Sequence, residues 1–466
     1  MTARTVHIKS FGCQMNKLDT ELVAAALKNA GFVLTKAITD ADVVLINTCS
    51  VREHAEQRVF SHLGHLKHIK QSRPELIVAV IGCMAQRLGG RLLEHQAVDI
   101  VCGPAQISEV TNLVVSALRE KQRALTVTEK ILQKTPDDQT NALEQLESMF
   151  GIDNTSPANQ AFVRAMRGCN RFCTYCVVPY VRGPEFSRPP EAIIEQIKKL
   201  ADAGVKQVTL LGQTINAYEY KAGQRTYCLA DLLEMAARVK QIARVRFVTS
   251  YPMRQYYDEI LQAIANLPKV CGYLHMPAQS GSDKILKAMN RHYTAAEYLD
   301  LIAQAKQTVP DIALSGDFIV GFPGETQHDF QATVQLLQKV EYKNSFIFKY
   351  SPRPGTTADK RLIDNVPAQV KRQRNMELLA VQEEISDNLS RKFRGKTVEV
   401  LVEGPSKKTH LNSPKNGSRP QLVGRTPGDY IVVFNGPISM AGRFVKVEIT
   451  KTMPLTLFGT LLDQEL

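Results

Sequence analysis

The sequence predicts an α/β protein in three parts. These are an N-terminal parallel α/β sheet domain, a central partial (β/α)6 barrel and a small C-terminal all-β barrel. Three observations predict this. Over the first ~115 residues, short apolar runs alternate with helical patterns, the rhythm of a parallel sheet with crossover helices. From residue 161, six more strand-like runs alternate with helical stretches. From residue 397, short strands alternate with Gly/Pro/Asn turns and no helix intervenes.

In the first part, "TVHIKSFG", "ADVVLINT", "LIVAVIG" and "VDIVCG" read as strands. "KLDTELVAAALKNAG" reads as a helix ended by Gly31. Residues 128–160 are polar with no strand pattern and predict a linker with one or two helical turns. The second strand series is "AFVRAMRG", "KQVTLLGQ", "RVRFVTS", "VCGYLHM", "ALSGDFIVGF" and "NSFIFKYS". Helices such as "PPEAIIEQIKKLADAG" and "TQHDFQATVQLLQKV" separate these strands. A six-unit barrel of this kind puts its site at the C-terminal strand ends. A long helical stretch, "PAQVKRQRNMELLAVQEEISDNLSRKF", leads to "TVEVLVEG", "QLVGRT", "YIVVFNG" and "RFVKVEIT". The expected boundaries are residues 1–120, a linker at 121–154, the barrel at 155–385 and the β domain at 386–463.

The 466 residues are too many for one core. No run approaches the ~18 apolar residues of a membrane span, and the N-terminal segment lacks an apolar signal core. The expectation is a cytoplasmic protein with no membrane partner. Its nine cysteines are then reduced, and disulfides are excluded as a framework. The net charge of +12 leans toward an anionic partner.

Cys169, Cys173 and Cys176 fall within "RGCNRFCTYC". Structural zinc wants four ligands, and no fourth Cys or His lies near this loop. A [4Fe–4S] cluster wants one ligand per iron, so three thiolates leave one iron open. Cys13, Cys49 and Cys83 are far apart in sequence, yet each ends a strand-like run. In a parallel sheet those ends share one edge, where such folds place ligands. Gly12 and Gly82 open the backbone beside two of them. A second [4Fe–4S] cluster is the favoured reading; small buried hydrophobes are the alternative. That alternative suits Cys102, Cys228 and Cys271.

The loop with Cys169, Cys173 and Cys176 resembles the signature of the radical S-adenosylmethionine (SAM) superfamily. The resemblance implies that the open iron chelates the amino and carboxylate groups of SAM, and that a donated electron cleaves SAM to a 5′-deoxyadenosyl radical. It implies a place for Tyr175 near the adenine. "SGDFIVGFPGET" (315–326) looks like the superfamily's SAM segment, with Gly321, Gly324 and Glu325 as the candidate cofactor contacts. "FGCQMN", "NTCSVRE", "GCMAQ", "FCTYCVVPYVRGPEFSRP", "HMPAQSGSDKILKAMNR" and "YSPRPGTTA" are similar to the methylthiotransferase family along nearly the whole chain. The N-terminal words resemble its dimethylallyladenosine branch.

This resemblance implies methylthiolation of C2 of N6-dimethylallyladenosine at position 37 of tRNA. It implies two [4Fe–4S] clusters, SAM as methyl donor and radical source, and a low-potential electron donor. Neighbouring alternatives are the same chemistry on threonylcarbamoyladenosine or on a ribosomal-protein aspartate. An alternative of another class is a non-enzymatic iron–sulfur redox sensor that binds RNA. Thr214 and Val181 depart from the family's usual Asn and Thr.

From 391 to 466 the chain carries 12 Lys/Arg against 6 Asp/Glu. A basic small barrel can track a phosphate backbone, and this one resembles the TRAM domain, an RNA-binding module. Lys407, Lys408, Lys415, Arg419 and Arg425 are the candidate RNA contacts. Arg164, Arg167, Arg171 and Arg182 surround the cysteine loop, and the sequence leaves open whether they meet RNA phosphate or the SAM carboxylate.

Overall fold

The computed structural model describes residues 3–50, 53–129, 131–133, 137–149, 159–406 and 420–462. The chain divides into two compact units. The first takes residues 1–156, 162–203 and 211–213; the second takes 157–161, 204–210 and 214–466.

The first unit holds six parallel strands. In chain order they are β1 (Thr5–Ser10), β2 (Val33–Leu34), β3 (Val43–Thr48), β4 (Ile77–Gly82), β5 (Ile100–Cys102) and β6 (Ala124–Thr126). Their spatial order is β2-β1-β3-β4-β5-β6. "VVLINT" and "IVAVIG" are buried at every position, as central strands covered on both faces must be. Helix α1 (Gln14–Asn29) lays Met15, Leu18, Leu22, Val23 and Leu27 on the sheet. It also buries Asn16 and Asp19 on that face, and an apolar stripe alone gives no reason for this. Helix α2 (Glu53–Ser72) fills a stretch where the sequence reading placed no element. Its Val59, Leu63 and Leu66 are buried, but His, Lys and Gln around them dilute the stripe.

The polar stretch read as a linker is more ordered than expected. Helix α3 (Asp137–Met149) runs 13 residues, over three turns. Leu143, Leu146 and Glu147 are its buried positions. A buried glutamate in place of a third apolar residue is what hid the helix from a periodicity reading.

The second unit carries most of the central series. Strands β7 (Gln160–Arg164), β8 (Gln207–Leu211) and β9 (Arg244–Val248) form one sheet, and β10 (Tyr273–His275), β11 (Ala313–Val320) and β12 (Asn344–Lys349) another. A parallel bridge from Val245 to Val270 joins β9 to the approach to β10. The six strands make the expected partial barrel.

The C-terminal strands close a five-stranded barrel: β13 (Thr397–Pro405), β14 (Gln421–Arg425), β15 (Ile431–Asn435), β16 (Phe444–Met453) and β17 (Thr456–Leu461). Its core is Val400, Val402, Leu422, Val432, Phe434, Val445, Val447, Ile449 and Leu457. The sequence reading had four of these strands. The fifth follows β16 after a tight turn at Pro454 and pairs in parallel with β15 to close the barrel. Among the described residues, no helix is long and apolar enough to cross a membrane.

Candidate functional site

Cys13 precedes α1, Cys49 follows β3, and Cys83 follows β4. The asparagines of "FGCQMN" and "NTC" fix two of these strand ends to each other. Asn16 Nδ2 donates to Asn47 Oδ1 (3.0 Å) and Thr48 O (2.7 Å), and Asn47 Nδ2 donates back to Asn16 O (2.8 Å). The backbones close further at two glycines. Gly12 has φ +138°, and a Cβ there would stand 2.5 Å from Cys49 Cβ. Gly82 has φ +93°, and its Cβ would stand 2.5 Å from Asn47 Oδ1. Only glycine permits both the dihedrals and the approach.

Cys13 and Cys49 are hydrogen-bond neighbours, and the Cys13 and Cys83 thiols feel each other's charge. Cys13 keeps exposed surface, but its sulfur is crowded. A hydrogen bond from Cys49 is the largest cause lowering its pKa, burial opposes it, and Arg182 and the amides of Asn16 and Met15 add to the lowering; the result is about 6. Burial pushes the Cys83 thiol up, and the cation and hydrogen bond of Arg182 oppose this. A thiolate is the form that binds metal, so this chemistry fits an iron–sulfur ligand set. Among the described residues, no three or more His, Cys, Asp or Glu are arranged to hold a single metal ion. A four-iron cluster spreads its ligands over different irons, so its thiols need not converge on one point.

The second triad lies in a closed loop of the same unit. Met166–Arg167 pairs antiparallel with Phe186–Ser187 and pins the loop's base. The Cys169 amide donates to Gly183 O (3.0 Å), and the Cys176 amide to Cys173 O (2.9 Å). Cys173 is buried; Cys169, Cys176 and Tyr175 are half-buried. A short helix, Pro179–Arg182, follows. Its Val181 packs on Cys83, so this departure from the family pattern adds a methyl in place of a hydroxyl beside that thiol. Thr214 is buried.

Three of the four arginines left open by the sequence are committed to carboxylates. Arg164 pairs with Asp19, and its Nε lies 3.4 Å from Glu147. Arg182 reaches the other Asp19 oxygen at 3.0 Å. Arg167 binds Glu147 (2.8 Å) and Glu144 (3.3 Å). Arg188, which the sequence reading passed over, binds Glu144 (2.7 Å) and Glu147 (2.7 Å). Burial would push the Glu147 carboxyl up, but Arg188, Arg164 and Arg167 hold it at about 2. The signal that could have found this network is the polar pair Asn16 and Asp19 on an otherwise apolar helix face.

In the second unit, Gly321 and Gly324 form a turn after β11, with φ of +72° and +79°. Glu325 is engaged inside that turn. Its carboxylate accepts from the amides of Gly321 and, at 3.0 Å, Phe322, and Arg374 lies 3.5 Å away. Burial is the largest cause raising its pKa. The stem of Lys371 crowds Gly321. Arg425 pairs with Glu403 (3.0 Å) and Asp429 (3.0 Å), so much of its charge is already balanced. Lys407, Lys408, Lys415 and Arg419 lie outside the described residues.

Comparison with known proteins gives this arrangement a family. Residues 163–337 match the Radical SAM superfamily, residues 5–103 a group described as Uncharacterized protein family UPF0004, and residues 391–462 the TRAM domain. The chain is 43% identical to the tRNA-2-methylthio-N(6)-dimethylallyladenosine synthase of Rhodopirellula baltica, over 98% of this chain and 95% of the relative. Relatives of the same name in Parabacteroides distasonis (39%, covering 99% and 96%) and Clostridium botulinum strain Loch Maree (41%, covering 97% and 96%) are similar along their length. The chain belongs to the tRNA-2-methylthio-N(6)-dimethylallyladenosine synthases.

As a member of this synthase family it is a radical SAM enzyme, which works with an iron–sulfur cluster and SAM. The alternative of a non-enzymatic sensor is thereby set aside. A radical SAM methyltransferase from Kitasatospora setae aligns with a TM-score of 0.51 at 12% identity, over 77% of each chain, which is a likeness of fold.

Proposed function

We propose that this chain replaces the C2 hydrogen of N6-dimethylallyladenosine, at position 37 of tRNA, with a methylthio group. The observation that supports the reading is that Cys13, Cys49 and Cys83 each stand at the C-terminal end of a strand of one parallel sheet, in a unit that also holds the Cys169, Cys173 and Cys176 loop. On this reading each triad holds its own [4Fe–4S] cluster. When bound, cluster and SAM supply one-electron chemistry able to take hydrogen from an unactivated C–H bond, which acid–base groups cannot do.

The chain's own part is to hold and orient. The loop anchored at Met166–Arg167 presents Cys169, Cys173 and Cys176, with Tyr175 beside the SAM adenine. Val177 and Val181 keep water from Cys83. The basic C-terminal barrel, with Lys407, Lys408, Lys415, Arg419 and Arg425, holds the tRNA backbone. A low-potential donor in the cytoplasm supplies electrons.

The substrate assignment has a direct test. Reconstituted protein should act on tRNA already carrying the dimethylallyl group and at least about tenfold more slowly on tRNA lacking it. Burying five apolar carbons is worth well over the ~1.4 kcal/mol of one decade. Equal rates on both would overturn the assignment.

A further inference from the structure

Among the described residues, four buried arginines of the first unit face three carboxylates. Arg164, Arg167, Arg182 and Arg188 face Asp19, Glu144 and Glu147. All but the partly exposed Glu144 are largely buried, so solvent does little to balance the remainder. The sharing is uneven. Glu144 and Glu147 serve Arg167 and Arg188, and Glu147 also lies near Arg164. Asp19 alone serves Arg182, and it gives its other oxygen to Arg164.

Among the described residues, Arg182 is thus the arginine with the smallest share of carboxylate. Its guanidinium side chain is 7% exposed and Asp19 is 1% exposed. Its neighbour Val181 packs on Cys83, and its positive charge acts on both the Cys83 and the Cys13 thiols. The geometry is over-determined. Arg182 ends the short helix that follows the Cys169–Cys176 loop, and Asp19 sits on the helix that begins just after Cys13. One ion pair thus ties the loop of one triad to the scaffold of the other.

We propose that Arg182 is a positioning residue of the Cys13–Cys49–Cys83 site: held by Asp19, it supplies the buried cation that balances an iron–sulfur cluster bound by those three thiolates. The inference rests on the two-cluster reading. Three thiolates on a [4Fe–4S] core leave it net negative, and added sulfur would make it more so. A fixed cation beside it favours the more negative, reduced form and so raises the cluster's reduction potential. Lysine keeps the charge but not the fork; glutamine keeps neither.

The test uses the full chain with Cys169, Cys173 and Cys176 replaced by Ala, reconstituted anaerobically, so that one cluster is observed. Iron assay and an EPR-monitored redox titration are compared for this parent and for the same protein with Arg182→Gln or Arg182→Lys. Glutamine should move the midpoint to more negative values, and lysine should hold it close to the parent's. Loss of the cluster with glutamine but not with lysine reports the same charge requirement. Equal potentials in all three proteins would overturn the proposal. So would an equal shift in both variants, a positive shift with glutamine, or loss of the cluster from both. No iron in the parent itself would instead fail the two-cluster reading.

Discussion

Replacing Cys169, Cys173 and Cys176 together with Ala should remove about half the iron and abolish SAM cleavage. Replacing Cys13, Cys49 and Cys83 should also remove about half the iron but leave SAM cleavage measurable. The asymmetry follows from three thiolates per cube, with only the loop triad matching the SAM-binding signature. The two sets stand on separate backbone: one on a pinned loop, the other on three strand ends, two of them locked to each other by Asn16 and Asn47. Removing one set leaves the other's supports in place. Iron assay and 5′-deoxyadenosine detection after anaerobic reconstitution check this. Loss of all iron from either triple variant, with the fold intact, would contradict separate sites.

Glu147→Ala should destabilise the first unit by about 3 to 5 kcal/mol, the usual cost of leaving buried charges without their partner. Three arginines converge on this carboxylate, and two of them, Arg164 and Arg188, are almost wholly buried. The same group sets an acid limit. Its folded pKa of about 2 lies below the ordinary value of 4.5. Its contribution is therefore present above pH ~4.5 and is lost as pH falls toward 2. Chemical denaturation followed by circular dichroism should show the lower midpoint in the variant at neutral pH and a narrowing difference from pH ~4.5 down to pH ~2. An unchanged midpoint at neutral pH would contradict the network's role.

Much of this was legible in the sequence. Buried apolar runs marked four of the six strands of the first sheet and all six of the central series, because a strand in a parallel sheet buries both faces; the short β2 and β6 were not read. The cysteine spacing singled out the loop triad as candidate ligands, and strand-end positions singled out the other. What escaped was polar burial. Asp19, Glu147 and Arg188 are legible only as charged residues, and nothing local says that each is inside with partners far along the chain. Helix α3 was read as only one or two turns for the same reason, and α2 was not read because its apolar positions are diluted by histidine and lysine. Composition likewise flagged Arg425 as a basic loop residue, whereas its guanidinium meets Glu403 and Asp429. Charge counts do not show which charges are already balanced.

The central claim is tested most directly by the nucleosides of tRNA. Reconstituted protein, SAM, a low-potential reductant and tRNA bearing N6-dimethylallyladenosine at position 37 are incubated without oxygen, and the digested nucleosides are analysed by mass spectrometry. The account predicts that the dimethylallyladenosine peak falls and that a product appears with a methylthio group in place of one hydrogen, at C2. An unchanged nucleoside, in a preparation that holds both clusters and cleaves SAM, would contradict it.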